Sequence, residues 1–121
     1  MNIITRARAL LSSHGLDAYA PGQYVGRCAA PYAVLRLAGT YPAAQGARLR
    51  YTLMQVYCYA PLDAAAPQRL DAFARAVKSA LRGMASQARP TGREGPDTLE
   101  EAYRALSRMV EYQVLLAPEE E

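Results

Sequence analysis

The residues able to do chemistry are few. The only histidine, His14, follows Ser12 and Ser13 at what reads as the end of a helix. A nucleophile, its base and an orienting acid must converge on one reacting atom, and sequence neighbours on a helix point apart, so these residues do not build a triad. His14 reads as an exposed residue near a helix C-terminus. Cys28 and Cys58 stand thirty residues apart beside that single histidine. No zinc spacing results, and Asp63, Asp71 and Asp97 do not follow a calcium-loop pattern. Gly22, Gly26, Gly39, Gly46, Gly92 and Gly95 belong to neither a GxGxxG nor a P-loop arrangement between a strand and a helix, and so read as turn glycines. The expectation is a protein without catalytic residues, metal or cofactor, and not an enzyme.

What the chain has in surplus is tyrosine and arginine. It carries nine tyrosines against one phenylalanine and no tryptophan, and all its basic residues but Lys78 are arginine. Both types combine a large contact area with a hydrogen-bonding tip, the combination that enriches them at protein interfaces. Charge is uneven: residues 1–60 hold six arginines against Asp17 alone, whereas residues 61–121 hold eight basic and ten acidic groups. The arginines are scattered singly instead of forming a stripe, which argues against reading a specific nucleic-acid sequence. No apolar run approaches the ~18 residues of a membrane helix, and the first residues lack the apolar core of a secretory signal. A protein made in the cytoplasm, with two free thiols and no membrane partner, is expected.

At 121 residues one core is expected, in one domain covering 1–121 with 118–121 as a solvated tail. Ile3, Ile4, Ala7, Leu10 and Leu11 recur at helical spacing, with Asn2 to cap and Gly15 to end a helix over about 2–14. The glycine- and proline-rich stretch that follows reads as an irregular crossing with a short strand near Tyr24 and Val25. Tyr32 to Ala38 and Leu49 to Tyr59 read as a hairpin with a long connection. Both faces of the second strand are partly apolar, so it is expected to be covered on both sides, by its own helix and by a neighbour. Either this strand and the last one sit centrally in the sheet, or a neighbouring subunit covers them; central placement is the expectation for the first of the two.

Leu70, Phe73, Ala74, Val77 and Leu81 then mark the principal helix, started near Asp63 or Pro67 and stopped by Gly83. Ala85 to Asp97 reads as a loop, with room for a short strand near Gln87 to Arg89. A helical turn near 98–103 and a strand from about 106 to 116 complete the chain, with Leu106, Val110, Tyr112, Val114 and Leu116 on one strand face. The expected fold class is α+β: a small antiparallel or mixed sheet of three to four strands, packed by an N-terminal helix and one long central helix.

In order, APYAVLRLAG, YTLMQVYCYAPLD, LDAFARAVKSAL and YRALSRMVEYQVLL resemble the tail-terminator, or tail-completion, proteins of long-tailed bacteriophages and prophages. The likeness spans nearly the whole chain and lies in the order and texture of the segments. It implies a small α+β subunit that forms a hexameric ring, caps the tail tube to end its polymerisation and presents a surface for joining the head. The implied partners are copies of itself, the tail-tube protein and a head-completion or connector protein. The implied location is the neck of a virion assembled in the host cytoplasm. On this reading Arg48, Arg50, Arg89 and Arg93, in the loops Gly39 to Arg50 and Ala85 to Asp97, contact neighbouring subunits or the tube. A head-closure or neck connector subunit and a small ferredoxin-like module binding a ligand or peptide are the alternatives.

Overall fold

The computed structural model describes residues 2–23, 26–42 and 50–116. Its first element is helix α1, Ile3–Ser13. The Asn2 side chain accepts the Thr5 amide at 2.9 Å, satisfying one of the donors that a helix start leaves open. At the other end Gly15 adopts φ +75°, and the Leu16 amide donates back to the Leu11 carbonyl at 3.0 Å. That left-handed closure would strain a side chain, which is why the helix ends at this glycine.

Strand β1, Ala18–Tyr19, runs parallel to β2, Tyr32–Pro42. Strand β3, Arg50–Pro61, pairs antiparallel with β2 on one side and with β6, Ala105–Leu116, on the other. Along the far side of β6 lie β4, Ala88–Glu94, and β5, Thr98–Glu100. The fold is thus α+β with a mixed sheet in the order β1-β2-β3-β6-β4, and β5 beside β6.

Among the described residues the sheet has six strands instead of three to four. Two of the additional strands are only two and three residues long, too short to show a period. The third, β4, replaces most of the expected Ala85–Asp97 loop. Its Pro90 and Gly92 read as loop residues, yet they are tolerated because β4 is an edge strand with a bulge between Pro90 and Glu94. The expected helical turn at 98–103 is strand β5 followed by a 3-10 turn, Glu101–Tyr103, closed by Arg104 at φ 52°. β2 also runs on through Pro42, so residues 39–42 are strand instead of loop. The expected strand at Tyr24 and Val25, most of the hairpin connection and the 118–121 tail lie outside the described residues.

Helix α2, Ala66–Leu81, buries Leu70, Phe73, Ala74, Val77 and Leu81, the stripe expected from its spacing. Pro67 sits in its first turn, and Asp63 accepts the Ala65 amide at 2.8 Å in the turn before it. Gly83 does not stop the helix by turning left-handed. It lies in a 3-10 turn, Arg82–Met84, where a Cβ would come within 3.2 Å of the Leu10 side chain. Close approach of α1, not backbone conformation, selects glycine there.

Both helices pack on one face of the sheet. Ile3, Ala7 and Leu11 of α1 join the α2 stripe, Ala33 and Leu35 of β2, Met54, Val56 and Cys58 of β3, and Val110, Tyr112 and Val114 of β6. The β2 bulge between Leu37 and Thr40 is stitched by buried Thr52, whose hydroxyl donates to the Gly39 carbonyl. On the helix side of β6, Arg108 donates to both Asp97 oxygens at 2.7 and 3.2 Å, to Asp71 of α2 at 3.1 Å and to Glu94 at 3.3 Å. Its side chain is only 16% exposed. One planar guanidinium therefore ties α2 and the end of β4 to the central strand.

Removing Arg108 leaves three partly shielded carboxylates facing one another. Arg108→Ala is expected to lower stability by about 2 kcal/mol, less than for a fully buried pair because the acids remain partly solvated. Exposed Arg36→Ala is expected to change it by under about 0.5 kcal/mol. Urea unfolding followed by circular dichroism measures both.

Candidate functional site

Among the described residues, no helix lies on the sheet's second face. Strand alternation turns Tyr51, Leu53, Gln55, Tyr57 and Tyr59 of β3 to this side, and each is only half-buried, whereas Thr52, Met54, Val56, Cys58 and Ala60 are buried beneath the helices. Of the cover expected on both sides, the described residues supply a helical layer on one side only. Both β3 and β6 are central strands, so central placement holds for the last strand as well as for the first.

At one end of this face the tyrosines converge. Tyr32 and Tyr59 are cross-strand partners whose rings stack with centroids 4.9 Å apart, and Tyr19 meets Tyr32 edge-on at 5.8 Å. Tyr32, Ala105 and Cys28 form a small second core, held by the Cys28 amide donating to the Tyr103 carbonyl at 2.8 Å. Burial pushes the Cys28 thiol up. Next to it an open groove of about 360 Å³ is lined by Tyr32, Val34, Arg36, Tyr57, Tyr59 and Tyr103. Partial burial, with Glu100 and Tyr103 adding, raises the Tyr59 phenol, so at neutral pH it is an O–H that can donate. Tyr57 donates to the Gln55 side chain at 3.2 Å.

Of the four arginines expected to make contacts, the structure brings two to this face. Arg89 pairs with Gln113 and, with Leu115, lines a second hollow of about 240 Å³ at the sheet's other end. Arg93, in the β4 bulge, reaches Glu111 at 3.5 Å. Arg50 opens β3 on the alternate, helix-side parity, two strands away from β4, and Arg48 lies outside the described residues. Arg89 and Arg93 are strand residues, not loop residues.

Glu111 was not singled out by sequence. Its side chain is 6% exposed on the open face and accepts the Thr91 hydroxyl at 2.9 Å. Its only sequence signal is an acid between Val110 and Tyr112 in an otherwise apolar strand. Among the described residues no cluster of His, Cys, Asp or Glu is placed to hold a metal, and no helix is long and apolar enough to cross a membrane. No family model matches the chain, and no curated protein matches it.

On the helix side, a cavity of about 140 Å³ between the end of α2 and β4 is lined by residues including Lys78, Leu81, Arg82 and Tyr112. Burial pushes the Tyr112 phenol up to about 12, with Cys58 and Glu94 adding and Arg82 opposing. Burial likewise pushes the Cys58 thiol up to about 12, with Arg108 opposing.

Both groups hold their protons more tightly in the folded chain than in the unfolded one, where they titrate near 9.0 and 10.0. Above those values the native state binds more protons, so stability falls as pH rises toward about 12. Each group adds up to about 1.4 kcal/mol per pH unit to the decline. Urea midpoints measured from pH 8 to 11 are expected to fall, and Cys58→Ala to make the fall shallower from about pH 9. Parallel curves for the two proteins would show that Cys58 takes no part.

Proposed function

We propose that this chain is a structural subunit that assembles with copies of itself into a ring and caps the tail tube of a long-tailed phage, ending tube polymerisation and offering the head its joining surface. The observation that carries this reading is the uncovered face of the sheet, continuous with an uncovered edge. β1 pairs with β2 only at Ala33 and Val34, so among the described residues no strand flanks the outer side of β2 from Leu35 onward. A bare edge and an apolar, tyrosine-lined face are liabilities for a lone domain and assets for a subunit that adds its neighbour there.

The opposite edge supports a directional contact. β4 carries Pro90, Arg89, Arg93 and a bulge, devices that discourage further strand pairing. A subunit with one receptive edge and one blunted edge buries its tyrosine face against a neighbour by side chains, with Arg89 and the largely exposed Arg93, whose one long contact is to Glu111, at the far margin to meet acidic groups of the tube or the next subunit. The function is geometric on this account: the ring occupies the tube's end and its outer face accepts no further tube subunit.

Light scattering over a range of concentration and at two salt levels is expected to show a mass rising toward six protomers. Tyr57→Ala and Arg36→Glu in the groove are expected to hold the protein at the protomer mass without altering its circular dichroism. A stable dimer indifferent to both substitutions would contradict the ring and favour a small binding module.

A further inference from the structure

Among the described residues, the tyrosine groove carries a cation that its own chain does not pair. Arg36 lines the groove with Tyr57 and Tyr103, is exposed, and makes no side-chain hydrogen bond or ion pair there. Residues 1–118 hold fourteen basic groups against eight acids, and Glu119, Glu120 and Glu121 supply the other three acids. Most of those eight are committed within the fold. Asp63, Asp71, Glu94, Asp97 and Glu111 pair with cations of this chain, and Glu100 accepts the Ser107 hydroxyl at 3.2 Å. Asp17 and Glu101 stand singly in the sequence. The run Pro118-Glu119-Glu120-Glu121 is therefore the densest negative charge that this chain can offer an unpaired arginine.

We infer that the groove of one copy receives the acidic tail of the next, with Pro118 against Tyr57 and Tyr103 and the glutamates that follow it on Arg36. The inference rests on the assembly reading and names the part of the neighbour that meets the groove. An ionised carboxylate only accepts hydrogen bonds and a guanidinium only donates them, so the two match without a leftover group. A proline segment suits an aromatic-lined groove because it is already extended and loses little entropy on docking. Tyr57 is half-buried and Tyr103 is 40% exposed, which leaves ring surface for it. The tail has to come from another copy. Leu116 faces Arg50, whereas Met109 faces Tyr57. β6 therefore ends about 24 Å along the strand from Tyr57. Pro118, two residues past Leu116, lies within about 7 Å of it. A contact between Pro118 and Tyr57 thus joins two copies through different surfaces, the head-to-tail type of contact that closes rings.

The test titrates an acetylated, amidated peptide of residues 115–121 into the full ¹⁵N-labelled chain, held dilute so that its own tails compete little. Saturable shifts are expected at the Val34, Arg36 and Tyr57 amides. A peptide with glutamine in place of all three glutamates is expected to bind at least about tenfold more weakly. Arg36→Gln should cost the parent peptide about the same factor. Arg75→Gln removes an equal charge from the helix side and should leave the affinity within about twofold. In parallel, the full chain carrying Glu119→Gln, Glu120→Gln and Glu121→Gln is expected to need at least about tenfold more protein to reach the parent's mass by light scattering. Absence of saturable shifts, equal binding of the glutamine peptide, or equal losses from Arg36→Gln and Arg75→Gln would overturn the inference. A parent mass that rises without peptide binding would remove the tail contact and leave the ring. Peptide binding with a mass that never rises would keep the contact and remove the ring.

Discussion

The two helices of the described residues cannot cover both faces of their six-stranded sheet, and both are committed to the same one. From that follows the division of every central strand into a buried parity and a half-exposed parity. Met54, Val56 and Cys58 lie under α1 and α2, while Tyr57 and Tyr59 alternate onto the far side. Burial of the first set supplies the hydrophobic stabilisation of the fold. The second set is held in place by the same backbone without contributing a comparable share.

The one-sided core also explains the concentration of charge around Arg108. Where β6 passes under the end of the helical layer, its side chain emerges among Asp71, Asp97 and Glu94. A charged hub here fixes α2 against the sheet by directional bonds at a place where apolar contact runs out. Arg75 and Lys78 extend it outward, each pairing with one of those acids. Asp71 is held below the usual carboxylate range, first by its hydrogen bond from Arg108. The network binds elements together, and none of its members faces the tyrosine groove.

The long periodic elements were legible in the sequence. The spacing of Leu70, Phe73, Ala74, Val77 and Leu81, and the alternation of Val110, Tyr112 and Val114, each report one dominant packing surface, and each is buried as its period requires. What escaped was structure set by tertiary context. Ala18–Tyr19 is a strand only because β2 lies beside it, and β4 pairs despite Pro90 and Gly92 because β6 offers a partner and a bulge absorbs the mismatch. Of the candidate site, the tyrosine and arginine surplus was visible but its placement was not. Nothing local to Tyr32 and Tyr59 announces that they stack, since that depends on the register between two strands. The burial of Glu111 is likewise a product of which strands neighbour β6.

The central claim is that the bare side of β2 and the tyrosine face beside it are where another copy of the chain sits. Amide hydrogen exchange at Leu35 and Leu37, whose N–H groups point to the same side of β2 as that of Ala33, away from β3, tests it most directly when dilute and concentrated protein are compared. The account predicts that these two amides exchange freely when dilute and become protected as concentration rises, while those of central β3 and β6 stay protected throughout. Exchange at Leu35 and Leu37 that is equally fast at every concentration would contradict it.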